Sequence, residues 1–266
     1  MKFKTLIIAE VGINHNNSIT EAKKLINHAK LAGADFVKFQ IFKSEMVTST
    51  FAKKSNYQKK SKKDSESQLS MIKKYELKNK DFRILKNECK KNRIKFLCSP
   101  FDVRSAIFLK RLNEKIIKIP SGELTNLILL RTIAKFRVKI ILSTGMSNFT
   151  EIYQAIKVLT KNGTKRKDIS LLHCVTAYPT PKEFVNLNVI PKMGKKFKLN
   201  VGLSDHTEGI EVAVAAVAIG AKIIEKHITL DKAATGPDHK SSLLPVEFKA
   251  LADSIRNVEK AMENDK

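Results

Sequence analysis

"LNVGLSDHTEGIEVAVAAVAIGAKIIEKHIT" runs from residue 199 to residue 229. Two short apolar runs, 199–203 and 222–227, frame it, and a histidine stands at or just past the end of each: His206 and His227. Between them, "EGIEVAVAAVAIGA" is too uniformly apolar for a surface helix and reads as a buried one. Strand, helix, strand in about thirty residues is a parallel β-α-β unit. The open question is whether such units build an open sheet or close on themselves.

The same rhythm extends over the whole chain. Further candidate strands are 5–9, 35–39, 94–98, 115–119, 139–143 and 169–174, which with 199–203 and 222–227 makes eight. Helix-period stretches alternate with them. In "TEAKKLINHAKLAGA", Ala22, Leu25, Ile26, Ala29 and Ala32 share a face and Gly33 stops the helix. Near 246–262, Phe248, Leu251, Ile255, Val258 and Met262 repeat the pattern. A doubly wound open sheet would place a G-x-G-x-x-G phosphate loop after an early strand, and "AEVGINHN" lacks that spacing. Eight strands and about as many helices predict a (β/α)8 TIM barrel. With no solenoid repeat and no Pro- or Ser-rich linker, residues 1–266 are expected to form one domain. Residues 52–66, "AKKSNYQKKSKKDSE", interrupt the rhythm in the long connection after the second strand. They read either as a mobile surface loop or as a lid over the barrel mouth.

Bulk properties narrow the function classes. Fifty Lys and Arg against 26 Asp and Glu leave a net charge of +24. The basic residues are mostly lysines scattered along the chain, so they predict a solvated surface that steers anions rather than a nucleic-acid site. No apolar run reaches membrane-spanning length, and "MKFKTLIIAE" is too short for a signal peptide. Cys89, Cys98 and Cys174 form no CxxC pair, and an odd count argues against a disulfide framework. The expectation is a cytoplasmic protein with reduced thiols and neither nucleic acid nor membrane as partner.

In TIM barrels the active site lies at the C-terminal ends of the strands. Those ends carry polar groups almost throughout: Glu10; Lys38 and Gln40; Ser99; Lys118, Ser121 and Glu123; Ser143; His173, Thr176 and Tyr178; Ser204, Asp205 and His206; Glu225 and His227, with Asp238 following. A barrel built only for stability has no use for such a ring. His206 and His227, on neighbouring strands, would enter one mouth and suit a divalent transition metal, although a lone histidine beside an apolar run is more often a satisfied core residue. Lys38 and Lys118 must meet anions if buried, either as internal ion pairs with Glu10 or Glu123 or as a clamp on carboxylate or phosphate. A Schiff-base role is the rival reading of either lysine.

Nine blocks, "IIAEVGINHNNS", "GADFVKFQ", "CSPFD", "KIPSGE", "ILSTGM", "LLHCVTAYPTP", "VGLSDHT", "IIEKHIT" and "GPDHKSSL", together resemble the sialic acid synthase (N-acetylneuraminate synthase) family, in order from about residue 7 to 245. The resemblance implies a barrel that condenses phosphoenolpyruvate with an N-acetylated hexosamine such as N-acetylmannosamine. The products are a nine-carbon 2-keto-3-deoxy acid and phosphate. A close variant would make legionaminic or pseudaminic acid from a diacetamido hexose, and a non-catalytic paralogue is the competing class. Carried over by position, His206 and His227 hold a divalent metal, manganese first, with magnesium or cobalt as alternatives. Lys38, Ser99, Lys118, Ser121, Thr176 and Ser204 meet phosphoenolpyruvate, and Gln40, Glu123, Tyr178 and Asp238 meet the sugar. Glu10, Glu123 and Lys118 are the candidates for catalysis. Such a family also implies a homodimer and an antifreeze-like C-terminal domain. With "AMENDK" following the last helix, the expectation is a barrel whose antifreeze-like domain is absent or separately encoded.

Overall fold

The computed structural model describes residues 4–55, 58–59 and 65–263. Eight parallel strands run β1 Leu6–Gly12, β2 Phe36–Ile41, β3 Lys95–Pro100, β4 Ile116–Ile119, β5 Lys139–Ser143, β6 Ile169–Cys174, β7 Asn200–Asp205 and β8 Ile223–His227. All eight expected strands form, with ends shifted by three residues at most. Hydrogen bonding follows the order β3-β2-β1-β8-β7-β6-β5-β4, and β3 packs against β4, so the sheet closes into the predicted TIM barrel.

Among the described residues, ten α-helices accompany the strands. They are α1 Ile19–Leu31, α2 Ser44–Val47, α3 Gln68–Lys73, α4 Asn79–Lys91, α5 Val103–Arg111, α6 Leu127–Ala134, α7 Phe149–Lys161, α8 Val189–Phe197, α9 Glu211–Ala218 and α10 Pro245–Met262. Local chemistry sets their starts: Ser18, Asp102 and Asn148 accept backbone N–H groups at the first turns of α1, α5 and α7. Among its described residues the β2–β3 connection holds three α-helices, α2, α3 and α4, rather than one. Within its polar stretch, Lys53 bridges to Ser67 and buried Lys54 pairs with Glu66 at 2.9 Å. Residues 56–57 and 60–64 of the expected lid lie outside the described residues.

Two apolar clusters show how period-two strands divide their side chains. Between barrel and helices lies the large core, which includes Ile7, Ala9, Val37, Phe39 and Ile224. Inside the barrel, Ile8, Phe36, Leu97, Ile141, Leu172 and Ile223 form a separate plug. Two residues further along each of those strands the inward position is Glu10, Lys38, Ser99, Ser143, Cys174 and Glu225. The barrel interior is therefore apolar below and ionisable above.

Gly202 decides how closely β7 approaches β8. A Cβ there would stand 2.1 Å from the Ile223 carbonyl oxygen, so the two strands that carry His206 and His227 meet only because the side chain is missing. Gly194 in α8 has nothing nearer than 4.0 Å to such a Cβ. Gly202→Ala should therefore destabilise by about 1–3 kcal/mol through overpacking, whereas Gly194→Ala should be neutral or stabilising by up to about 1 kcal/mol. Urea unfolding of the two variants checks this; equal stability would contradict the packing described.

Candidate active site

Above the apolar plug, four charges sit in the dark of the barrel. Lys38 Nζ lies 3.3 Å from Glu10 Oε2 and 3.2 Å from Glu225 Oε1. Lys118 Nζ lies 3.1 Å from that same Glu225 oxygen. Ser204 Oγ also donates to it, at 3.0 Å, and Lys38 donates to Ser99 Oγ at 3.3 Å. Gln40 Nε2 donates to Glu10 Oε1 at 2.9 Å. All four ionisable groups are at most 4% exposed.

Burial of this kind favours neutral forms, and the cluster overrides it unequally. Burial works against the Glu225 carboxylate, but Lys118 and Lys38 outweigh it and hold the group well below the usual carboxylate range. Burial likewise opposes the Lys38 ammonium, which Glu10 and Glu225 keep above an ordinary lysine. Lys118 goes the other way, lowered by burial and by Lys38 despite Glu225. Glu10 is raised, chiefly by burial and further by Glu225. Two lysines and one fixed carboxylate thus hold a second carboxyl group ready to exchange a proton.

The imidazoles of His206 and His227 come together at the rim, ring centroids 5.4 Å apart. Tyr178 packs on His206 at 4.1 Å and presents an edge-on face to His227 at 6.1 Å. His206 Nδ1 lies 2.9 Å from the Val175 carbonyl, which can only accept, so Nδ1 carries a proton and Nε2 is the nitrogen whose lone pair is free in the neutral ring. His227 is held neutral by burial, with the His206 and Lys38 charges adding to it, and its buried Nδ1 has no hydrogen-bond partner among the described residues. Behind the pair, fully buried Lys226 donates to Asp205 Oδ2 and to the Thr207 carbonyl, both at 2.6 Å. That tie fixes the ends of β7 and β8. Burial lowers His206, but Cys174 and the Val175 carbonyl outweigh it and hold the group above an ordinary histidine. The neutral His227 ring with its orphaned nitrogen, beside the His206 ring, fits a divalent metal. Among the described residues no three His, Cys, Asp or Glu groups are arranged to hold an ion, so the remaining positions would belong to water or substrate.

Other expected residues fall around this centre. Gln40, Tyr178, His227 and Asp238 line a cavity of about 220 Å³ at the mouth. Ser121 Oγ accepts the Gly145 N–H at 3.0 Å, and a Cβ on Gly145 would stand 2.5 Å from Thr176 Oγ1 and 2.9 Å from Ser121 Oγ. Gly145 therefore leaves a small cradle of two hydroxyls and a backbone N–H, although Thr176 itself is exposed. Glu123 stands apart. It is half-buried, accepts from Asn126 Nδ2 at 2.7 Å, and does not line the cavity. His15 accepts the Asn17 N–H and His239 bonds Thr229 Oγ1 at 2.7 Å, so both serve the loops that carry them. Two groups that the sequence places at strand ends, without a role of their own, belong to this centre. Glu225, two residues before His227, shares its inward face by strand period. Ser143 ends β5 with a buried hydroxyl that has no partner among the described residues.

A barrel with an anion cage of lysines under an imidazole pair defines an enzyme for a small anionic substrate, and comparison with known proteins agrees. The NeuB family model matches residues 25–266, and the chain belongs to that family, whose synthases condense phosphoenolpyruvate with sugars. It is 55% identical to the N,N'-diacetyllegionaminic acid synthase of Campylobacter jejuni, over 97% of this chain and 78% of the relative. With the N,N'-diacetyllegionaminic acid synthase of Legionella pneumophila it shares 42% identity over 95% and 72% of the two chains. The crystal structure of a sialic acid synthetase from Leptospira borgpetersenii in complex with citrate superposes with a TM-score of 0.89 at 33% identity, covering all of this chain and 87% of that one. No helix among the described residues is long and apolar enough to cross a membrane.

Burial, with Glu10 adding to it, pushes the Asp238 carboxyl up to about 6, and His206 opposes the shift. A carboxylate with the sugar-contacting role that the resemblance implies for Asp238 would be available as an acceptor only above that value. The kcat/KM for the sugar should rise through a limb centred near pH 6, and Asp238→Asn should flatten it. A pH profile with the limb unchanged in the variant would remove Asp238 from that role.

Proposed function

We propose that the protein condenses phosphoenolpyruvate with a 2,4-diacetamido hexose, giving a nine-carbon 2-keto-3-deoxy acid of the legionaminic type and inorganic phosphate. The observation that carries this reading is the lysine cage of Lys38 and Lys118, opening beneath the imidazole pair. N-acetylmannosamine, the acceptor first implied by the sequence, becomes the second reading, because the legionaminic synthases are the more similar relatives.

The residues divide the work by charge. Phosphoenolpyruvate brings a carboxylate and a phosphate to the two ammonium groups, displacing part of their pairing with Glu10 and Glu225. Hydroxyls of Ser99, Ser143 and Ser204, and the Ser121–Gly145–Thr176 cradle, add donors for its oxygens. Tyr178, Gln40 and Asp238 seat the sugar with its aldehyde carbon facing C3 of the donor. His206 and His227 would hold the divalent metal, manganese by preference, which when bound supplies Lewis acidity toward the aldehyde oxygen.

Carbon–carbon bond formation then joins C3 to the aldehyde carbon and leaves positive character at C2. Water adds to C2, and the C–O bond to phosphate breaks. Glu10, raised by burial, hands a proton to the former aldehyde oxygen and regains one from the attacking water. Glu225 stays ionised and keeps both lysines in place, and those lysines stabilise the charge of the departing phosphate. Ordering the reactants and excluding bulk water do the remainder.

Incubation with phosphoenolpyruvate, manganese and each sugar, with phosphate release and product mass as readouts, tests this reading. No release with any amino sugar would overturn it. Lys38→Ala or Lys118→Ala should lower kcat/KM for phosphoenolpyruvate by about 30-fold or more, given the 2–5 kcal/mol lost when one partner of a buried charge pair is truncated. His206→Ala or His227→Ala should abolish manganese binding in calorimetry while the far-ultraviolet spectrum is kept. Wild-type binding in either variant would refute the metal role.

A further inference from the structure

Each histidine of the rim pair follows one half of an ion pair in the chain: Asp205 stands before His206, and Lys226 before His227. By strand period the histidines face into the barrel and the two charged residues face out of it. Asp205 and Lys226 lie side by side on the last rung of the β7–β8 ladder, both buried. The Lys226 ammonium donates to Asp205 Oδ2 and to the Thr207 carbonyl, each at 2.6 Å, and Asp205 Oδ1 accepts the Thr207 N–H at 2.9 Å. A side chain rooted one residue before His227 therefore grips the residues on both sides of His206.

The backbone alone does not join the two histidines. The β7–β8 ladder pairs Leu203 with Ile224, Ser204 with Glu225 and Asp205 with Lys226, and there it ends. Beyond that rung the two segments lean on opposite neighbours. His227 pairs with Glu10 of β1, and the Ile228 N–H donates to the Glu10 carbonyl at 2.9 Å. His206 is held from the β6 side, with Nδ1 on the Val175 carbonyl and its own carbonyl accepting the Thr180 N–H at 2.9 Å. Lys226 spans the division between them.

A buried ion pair is a weak device for stability, since apolar residues of similar volume often do as well or better, and its best-attested use is to fix register. We infer that Asp205 and Lys226 are positioning residues that set the separation of the His206 and His227 rings, and through it the affinity for a divalent ion. The inference rests on the metal role proposed above for the two imidazoles. Two ring nitrogens that share one ion each need a bond of about 2 Å, and such a site tolerates an error of only about 0.5 Å. The 5.4 Å between the ring centroids therefore has little slack.

Replacing the pair by Asp205→Leu with Lys226→Met removes the tie and leaves no charge buried alone. The urea midpoint should stay at or above that of the wild type. Calorimetric affinity for phosphoenolpyruvate without metal should be unchanged, because Ser204 and Glu225 keep their own rung. Affinity for manganese should fall by about 10–100-fold, the usual loss when a partner that orients a metal ligand is removed. Ile224→Val, a change on the same outward face that leaves the tie in place, should keep wild-type manganese affinity. If the double variant does not fold, Asp205→Asn with Lys226→Met, which keeps an acceptor for the Thr207 N–H, decides by the same measurement. Wild-type manganese affinity in the folded double variant overturns the inference and leaves the metal role intact. An equal loss in Ile224→Val also overturns it, since any loosening of β8 would then have the same effect. If the wild type itself takes up no manganese, the metal role fails, and the crystal structure of the double variant decides the positioning. Rings still 5.4 Å apart there overturn it, and rings moved apart support it.

Discussion

Two ammonium groups and two carboxyl groups share a space inside the barrel that water barely reaches, and the rest of the site is arranged around that constraint. A lone buried charge costs several kcal/mol even after relaxation. Lys38 survives there because Glu10 and Glu225 flank it, and Lys118 because Glu225 pairs with it. The arrangement is nonetheless unequal, since Glu225 Oε1 is shared by Lys38, Lys118 and Ser204. Donors crowded onto one oxygen have capacity left for a more highly charged anion. That is a sound basis for binding and poor evidence for stability, because buried ion pairs are often worth less than apolar packing of the same volume.

The barrel can carry this cluster because of what lies beneath it. Ile8, Phe36, Leu97, Ile141, Leu172 and Ile223 close the lower interior, so the ionisable layer is reached from the mouth alone. Outside the barrel a second, larger core binds the helices. One strand therefore does two jobs on alternate residues: Ile223, Glu225 and His227 face inward, and Ile224 packs outward. Lys226, also directed outward, is buried against Asp205 and Thr207, which ties the two histidine-bearing strands together from behind. Gly202 completes that approach from the front.

The β2–β3 connection supplies part of the wall of the cavity at the mouth. Without it the mouth would open to solvent beside Gln40 and Asp238. With it, α2 and α3 lean apolar side chains over the same opening, held by Glu76. The ionisable groups come from strand ends and much of the apolar lining from an inserted connection, which is how a barrel scaffold carries a site built largely by its loops.

Read alone, the sequence determined the eight strands, the closure into a barrel, and the inward set Glu10, Lys38, Ser99, Lys118, Ser204, His206 and His227. Those features depend on local periodicity and on a rule about strand ends, both of which are written in neighbouring residues. Residue type also made the metal and anion readings available before any geometry. Tertiary structure decided the rest. Pairing of Lys118 with Glu225 spans 107 residues, so no spacing rule could separate it from the pairing with Glu123 that was equally open. Glu123 itself turned to Asn126, a local capping partner that competes with the site. Met71 and Ile72 carry no local signal of a site, and only the docking of α3 beside the mouth makes them part of the cavity wall. Contacts of this kind are fixed by how distant segments close in space, and only the folded chain holds that information.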